Sequence, residues 1–288
     1  MAGSRYRNLF FWAEDEYFSI DKLSQIFSND AEVNMAEIER PYYAHMTNRK
    51  RFLKSAGLLG LSHAIFYTIV RRAYWQLKGY EKGRGYYLFD ELSLFVRRWL
   101  DGKKMSGRNV KRLDDLKKTK FVYYPLHTEP ETALQTLSPE YFYQLSCIAA
   151  LSRDLPAGVL LVVKETLAAT GRRPRDFYEQ IREFKNVVFL NIEELGLEVV
   201  RNAAAVATIT GTGGFEAAVI GKPVISFGRH NLYNILDHVR VITDEAELKD
   251  ELASVLSNNF NKAKANLDGA RYLAAVKAVS FDMGQFST

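Results

Sequence analysis

Residues 208–228, TITGTGGFEAAVIGKPVISFG, hold the densest set of groups able to do chemistry. Thr210, Gly211, Thr212, Gly213 and Gly214 place two hydroxyls and three glycines directly before a helix-like FEAAVI. Glycines let a backbone approach a ligand closely. A helix N-terminus offers unsatisfied N–H groups and the positive end of a dipole to an anion. The pattern reads either as an anion cradle or as a plain turn between strand and helix. It is not a Walker A loop, because no Gly-Lys-Ser or Gly-Lys-Thr stands where one is needed. Nor is it GxGxxG, because Glu216 occupies the third glycine position. Glu216 has two readings, as a stabiliser of the helix start or as an acceptor for a ribose or sugar hydroxyl.

Three further clusters carry titratable groups. In YYPLHTEPETAL, residues 123–134, His127 lies beside Glu129 and Glu131. An imidazole oriented by a carboxylate serves as a general base or a phosphate donor; the alternative is a structural histidine. The spacing leaves too few ligands for a metal. In residues 162–177, Lys164 and Glu165 end an apolar run and Arg172, Arg173 and Arg175 follow. These cations either neutralise a phosphate or form an exposed basic loop. In residues 225–235, Gly228, Arg229, His230 and Tyr233 follow another apolar run. They close over a nucleotide or sugar, or make a turn.

Each cluster needs an element to hold it. After residue 119 the chain alternates: KFVYYPL, GVLLVVKE, NVVFL, AVATI, KPVISFG and VRVI read as strands. PEYFYQLSCIAALSRDL, RPRDFYEQIREF, IEELGLEVVRNA, GGFEAAVIG, DEAELKDELASVL and the terminal NFNKAKANLDGARYLAAVKAV read as helices. Continuous apolar strands alternating with helices predict an α/β fold, a parallel sheet covered on both faces. Such sheets bind ligands at the carboxyl ends of their strands, and all four clusters fall at such ends. Before residue 119 the chain is helical, aromatic and basic. Within FLKSAGLLGLSHAIFYTIVRRAYWQL, residues 52–77, the uncharged part Ser55–Val70 falls short of the roughly 20 residues of a spanning helix. It predicts a buried core helix, with an interfacial helix edged by Arg71, Arg72 and Trp75 as the alternative.

The net charge of +5 concentrates in residues 47–120. That excess reads as a solvated face or as contact with an anionic membrane or polyanion. No nucleic-acid motif supports a nucleic-acid partner. A single cysteine, Cys147, permits no internal disulfide and fits a reducing, cytoplasmic compartment. MAGSRYRNLFFWAEDE lacks the apolar core of a secretory signal.

YPLHTEPET, LPAGVLLVVKE, GRRPRDFYEQIREFKNVVFL and above all ITGTGGFEAAVIGKPVISFG resemble the capsule polysaccharide biosynthesis family, over roughly residues 119–250. Its β-Kdo glycosyltransferases build the lipid-linked base of bacterial capsules. The resemblance implies a GT-B glycosyltransferase with a Rossmann-like nucleotide-sugar domain over residues 119–288 and an acceptor or membrane side over residues 1–118. It implies CMP-Kdo as donor, with no metal or further cofactor, a lipid-linked or glycan acceptor, and peripheral contact with an anionic inner membrane. Thr210, Gly211, Thr212 and Gly213 would hold the donor phosphate, and Glu216 the nucleoside or sugar. Lys164 and Glu165 match the family's Lys-Glu, and Arg229 adds a cation on the donor side. His127 and Glu131 match positions facing the cleft and stand as the catalytic candidates. The family continues Lys-Glu with His-Pro, whereas Thr166-Leu167 stand here. The first half also lacks the βα units of a complete Rossmann domain. Two alternatives stay open: a nucleotide-sugar epimerase of related fold, and a non-catalytic relative that binds nucleotide sugar.

Overall fold

The computed structural model describes residues 2–3, 9–15, 19–28, 57–79, 88–129, 131, 134–135, 138–257 and 259–282. Short strands β1 (Ala2–Gly3) and β2 (Leu9–Phe11) lead into helices α1 (Asp21–Ser28), α2 (Leu58–Leu77) and α3 (Leu88–Ser106). The alternating part then runs β3 (Phe121–Pro125), α4 (Leu145–Asp154), β4 (Leu160–Lys164), α5 (Phe177–Arg182), β5 (Val187–Leu190) and α6 (Gly196–Asn202). It continues through β6 (Ala205–Thr208), α7 (Thr212–Val219), β7 (Val224–Ser226), β8 (Val239–Val241) and α8 (Leu248–Val255). Helix α9 (Lys262–Val279) and strand β9 (Phe281–Asp282) end the described chain.

Strands β3 to β8 form one sheet in the order β5-β4-β3-β6-β7-β8, with every pairing parallel. Successive strand residues point to opposite faces, and here both sets are apolar. Val122, Tyr124, Leu161, Val163 and Ala207 share one core with α4, α5 and α8. Phe121, Tyr123, Val162 and Val206 share the other with α6, α7 and α9. Burial on both sides is why these strands read as unbroken apolar runs, and it bears out the expected α/β class. Helix α6 starts four residues later than the run IEELGLEVVRNA predicts; an Asn191 turn, its side chain accepting from the Glu193 N–H at 2.9 Å, occupies the gap.

The chain leaves β3 toward β4 and β5, then returns to lay β6 on the other side of β3. The crevice between the carboxyl ends of β3 and β6 is the topological switch point, where sheets of this type bind ligands.

Among the described residues before 119, β2, α1 and α3 pack onto the same cores. Met105 of α3 joins the first, and Phe11, Ile20 and Leu23 join the second beside Leu273 and Val276 of α9. β2 pairs antiparallel with both β1 and β9.

The expectation of a buried core helix at residues 52–77 is corrected. Residues 52–56 lie outside the described residues, and in α2 only Thr68 is buried. The packed side of α2 carries Leu61, Ile65, Thr68 and Trp75 together with Arg71 and Arg72, which share Glu91 of α3 at 2.9 and 3.1 Å. A second apolar side, with Leu59, Phe66, Val70 and Leu77, faces outward. Among the described residues no helix is long and apolar enough to cross a membrane.

Candidate active site

The crevice is built by fastening the loop after β3 to the loop after β6. The His127 side chain is buried, with Nε2 2.7 Å from the Thr210 carbonyl oxygen and 3.1 Å from the Thr208 hydroxyl. Nε2 donates to that carbonyl in the tautomer that carries its hydrogen there, and accepts from the Thr210 N–H at 3.2 Å in the other; the Thr208 hydroxyl donates to the same carbonyl. The next residue, Gly211, sits at φ +99°, in the left-handed region that favours glycine. That turn starts α7 against the crevice. A Cβ on Gly214 would collide with the Tyr233 hydroxyl and lie 2.7 Å from Thr208 Cγ2. The loop residue types are therefore set by close packing as well as by backbone shape.

Two features at the start of α7 point to a ligand. The first-turn N–H groups of Thr212, Gly213 and Gly214 have no partners within the helix, and Gly211, Thr212 and Gly213 are only half-buried. The Thr210 hydroxyl is buried with no hydrogen-bond partner among the described residues. One turn further in, Glu216 is 4% exposed, and nothing among the described residues hydrogen-bonds its carboxyl. Burial pushes that carboxyl up to about 8, against the opposing pull of Arg201 and Lys164. At neutral pH it is mostly protonated and offers a donor as well as an acceptor.

At the end of β4 a second set of contacts braces the crevice. The Glu165 carboxylate accepts two hydrogen bonds from Arg173 at 2.9 and 2.8 Å, one from the Tyr178 hydroxyl at 2.8 Å and one from the Thr166 N–H at 2.7 Å. Arg173 also donates to the His127 carbonyl at 2.6 Å and to Glu129 at 3.2 Å, and its guanidinium lies 4.7 Å from the Phe177 ring centre. Burial works against the charge on Arg173, but the hydrogen bonds and charge of Glu165 outweigh it and hold the pKa above its ordinary value. Gln144 completes the brace: it accepts from the His127 N–H at 2.8 Å and donates to the His127 carbonyl at 2.9 Å. Its own N–H donates to Glu129 at 2.7 Å.

His127, Thr210, Gly211, Thr212, Gly213, Glu216 and Lys164 thus surround one crevice. His127 uses Nε2 to hold the glycine loop, and Glu165 has its oxygens taken up inside the brace. Lys164 is half-buried, with Nζ 3.5 Å from the Glu165 carbonyl. Glu131 is exposed, and its carbonyl accepts from the N–H groups of Leu134 and Gln135 at 3.0 and 3.2 Å. Arg229 is exposed at the rim, 2.9 Å from Glu140. Of the three loop arginines read as phosphate cations, Arg172 and Arg175 are exposed, whereas Arg173 is committed to two carboxylates. Two contributors carry no local signal in the sequence. One is Gln144; the other is Asn231, whose side chain donates to the carbonyls of Ile209 and Gly228 at 2.7 and 3.2 Å. The crevice suits an anion seated at the start of α7 beside a hydroxyl that exchanges hydrogen bonds with Glu216.

Among solved structures the chain is similar to a β-Kdo 2,7 transferase, KpsC of Thermosulfurimonas dismutans, at 17% identity and TM-score 0.38 over 62% of this chain and 52% of that one. It is similar to the β-Kdo 2,4 transferase KpsC of the same organism at 18% identity and TM-score 0.36, over 63% and 58%. It is also similar to Anabaena Alr3699/HepE, solved in complex with UDP-glucose, at 17% identity and TM-score 0.40, over 62% and 50%. The chain spans about half the length of these structures. No curated protein matches it. The family described as capsule polysaccharide biosynthesis protein matches residues 31–278, most of the chain, and the protein belongs to that family.

Proposed function

We propose that the protein is a glycosyltransferase whose crevice binds a nucleotide sugar, with the donor phosphate at the start of α7. The observation that carries this reading is the half-buried N-terminus of α7 at the switch point, with the buried Thr210 hydroxyl beside it lacking a partner among the described residues. Transfer forms a bond from an acceptor hydroxyl oxygen to the anomeric carbon and breaks that carbon's bond to a phosphate oxygen; the electron pair leaves with the nucleotide, and the acceptor's proton passes to the released phosphate or to water. The N–H groups of Thr212 to Gly214, the helix dipole and the two threonine hydroxyls stabilise the charge that grows on that oxygen. Protonated Glu216 sits one turn away, positioned for a sugar or ribose hydroxyl, and Lys164 adds positive charge. His127 acts as a positioning residue that fixes the Thr210 carbonyl. CMP-Kdo is the donor the family resemblance favours, with a lipid-linked or glycan acceptor at an anionic membrane and a partner domain in the GT-B arrangement.

A second reading, binding without transfer, is favoured by Thr166-Leu167 in place of His-Pro and by the internal use of both His127 Nε2 and Glu165.

Calorimetry with CMP, UDP and GDP tests the site. At least one nucleotide is expected to bind, and Thr210→Val and Thr212→Ala each to weaken it about tenfold or more, the cost of a hydrogen bond to a charged group. Thr210→Val is also expected to leave the ligand-free protein as stable as before or more so, because it removes a buried hydroxyl without a partner. Absence of binding, or unchanged affinity in both variants, would sink the assignment. Appearance of transfer only after Thr166→His with Leu167→Pro would decide for the second reading.

A further inference from the structure

A cleft of about 370 Å³ opens at the amino end of β8, where the end of α8 meets the start of α9. Sites for small molecules begin at roughly 300 Å³. Val255, Ala265 and the half-buried ring of Phe260 supply its apolar lining, and Ser257, Asn259 and Asn261 supply exposed hydroxyl and amide groups. His238 also lines the cleft and is only 5% exposed. Its Nε2 lies 2.8 Å from the Ala218 carbonyl oxygen, which only accepts, so Nε2 carries the hydrogen and Nδ1 is a bare acceptor. No described residue donates to Nδ1. Burial holds the His238 pKa below its ordinary value, against the pull of the Ala218 carbonyl, Asp268 and Asp237, so the ring is neutral at pH 7. A buried acceptor without a donor costs stability and marks a place where a donor is missing. The charges around the cleft are already balanced: Lys264 pairs with Asp237, and Arg240 with Glu251 at 3.4 Å. The start of α9 is capped, with the Lys264 N–H donating to the Asn261 side chain and the Lys262 N–H to the Phe260 carbonyl, both at 3.0 Å. An anion therefore finds neither an unpaired cation nor an uncapped helix start in the lining. Among the described residues no group of His, Cys, Asp and Glu could hold a metal ion.

We infer that this cleft is a second ligand site and that it takes a neutral sugar ring. An aromatic face with a few placed polar groups is the usual make-up of a small-molecule site, and a sugar answers both parts. Its C–H face covers the Phe260 ring, and its hydroxyls meet the asparagine amides and Ser257. A sugar hydroxyl supplies the hydrogen missing at His238 Nδ1, directly or through a water held beneath the ring. The donor crevice lies at the carboxyl ends of β3 and β6, whereas this cleft lies at the amino end of β8, so the two sites sit at opposite ends of the sheet. Through His238 and Ala218 the cleft touches the last turn of α7, the helix whose first turn faces the crevice. A glycan held here is tethered while the crevice stays open. The site itself stands apart from the donor crevice; only that use rests on the glycosyl-transfer reading.

The full chain is screened by saturation-transfer NMR and calorimetry against glucose, galactose, mannose, N-acetylglucosamine, lactose and cellobiose. At least one is expected to bind, with the strongest saturation on ring C–H protons. Phe260→Ala should weaken that binding about tenfold, the loss of one apolar contact face. His238→Gln keeps a donor for the Ala218 carbonyl but removes the Nδ1 acceptor, and should weaken it about fivefold. Circular dichroism of both variants is expected to match wild type; if His238→Gln does not fold, Phe260→Ala decides alone. Thr212→Ala and saturating CMP, UDP or GDP should leave the sugar affinity unchanged, which separates a failed cleft from a failed donor site. Binding of no sugar, which leaves the cleft to water, or unchanged affinity in Phe260→Ala overturns the inference. So does a sugar that a nucleotide displaces or that Thr212→Ala loses, which assigns that sugar to the crevice.

Discussion

Glu216 is the residue where burial and chemistry conflict most plainly. Its carboxyl ionises in the folded protein at about 8 against an ordinary 4.5. The folded state therefore binds more protons than the unfolded chain between those values. Stability from this source is full below about pH 4.5 and falls as pH rises through about 8. Glu216→Gln is expected to flatten that fall, so that the variant exceeds wild type in urea denaturation at about pH 9 and differs little at about pH 4. An unchanged slope would mean that the carboxyl is solvated. The sequence showed Glu216 at a helix start and left its role open, because the competing helix-dipole and burial effects depend on packing from Tyr123 and α6. His127 was legible as a group in the crevice but not as a clamp. Its partners Thr208 and Thr210 lie 81 and 83 residues away, and no local pattern reports which side of the imidazole faces them.

At the scale of elements, Arg173 joins the ends of β3, β4 and α5 through partners 8, 44 and 46 residues away. Arg173→Met would leave Glu165 and Glu129 without their cation in a site where the Glu165 side chain is fully buried. A loss of about 3–5 kcal/mol is expected in chemical denaturation, the usual cost of breaking a buried pair from one side. Adding Glu165→Gln should recover part of it, and full stability of the single variant would remove the brace from the account. The strands and most helices were readable because a sheet buried on both faces writes continuous apolar runs into the chain. Burial of α2 was misread for a related reason. Apolarity tells that a helix has a face to cover, but not whether the cover is protein. The pairing of Arg71 and Arg72 with Glu91 across 20 and 19 residues decided which side turned inward.

On the scale of the whole molecule, residues 9–28 and 262–282 come together in one layer. Phe11, Ile20 and Leu23 are buried beside α9, and β2 pairs with β9. Three such side chains contribute roughly 5–9 kcal/mol, an upper figure but comparable with the stability of many domains. Deletion of residues 1–28 is expected to lower Tm and to speed amide exchange across α9, while β3 to β6 keep their protection. Unchanged exchange in α9 would show that the layer is dispensable. The same closure sets an order on synthesis. Residues 9–28 leave the ribosome before their partners at 262–282, which come about 250 residues later, roughly 10–50 s at ordinary rates. Throughout that interval the apolar side chains of β2 and α1 lack the surface of α9, so the nascent chain depends on whatever holds them until α9 emerges.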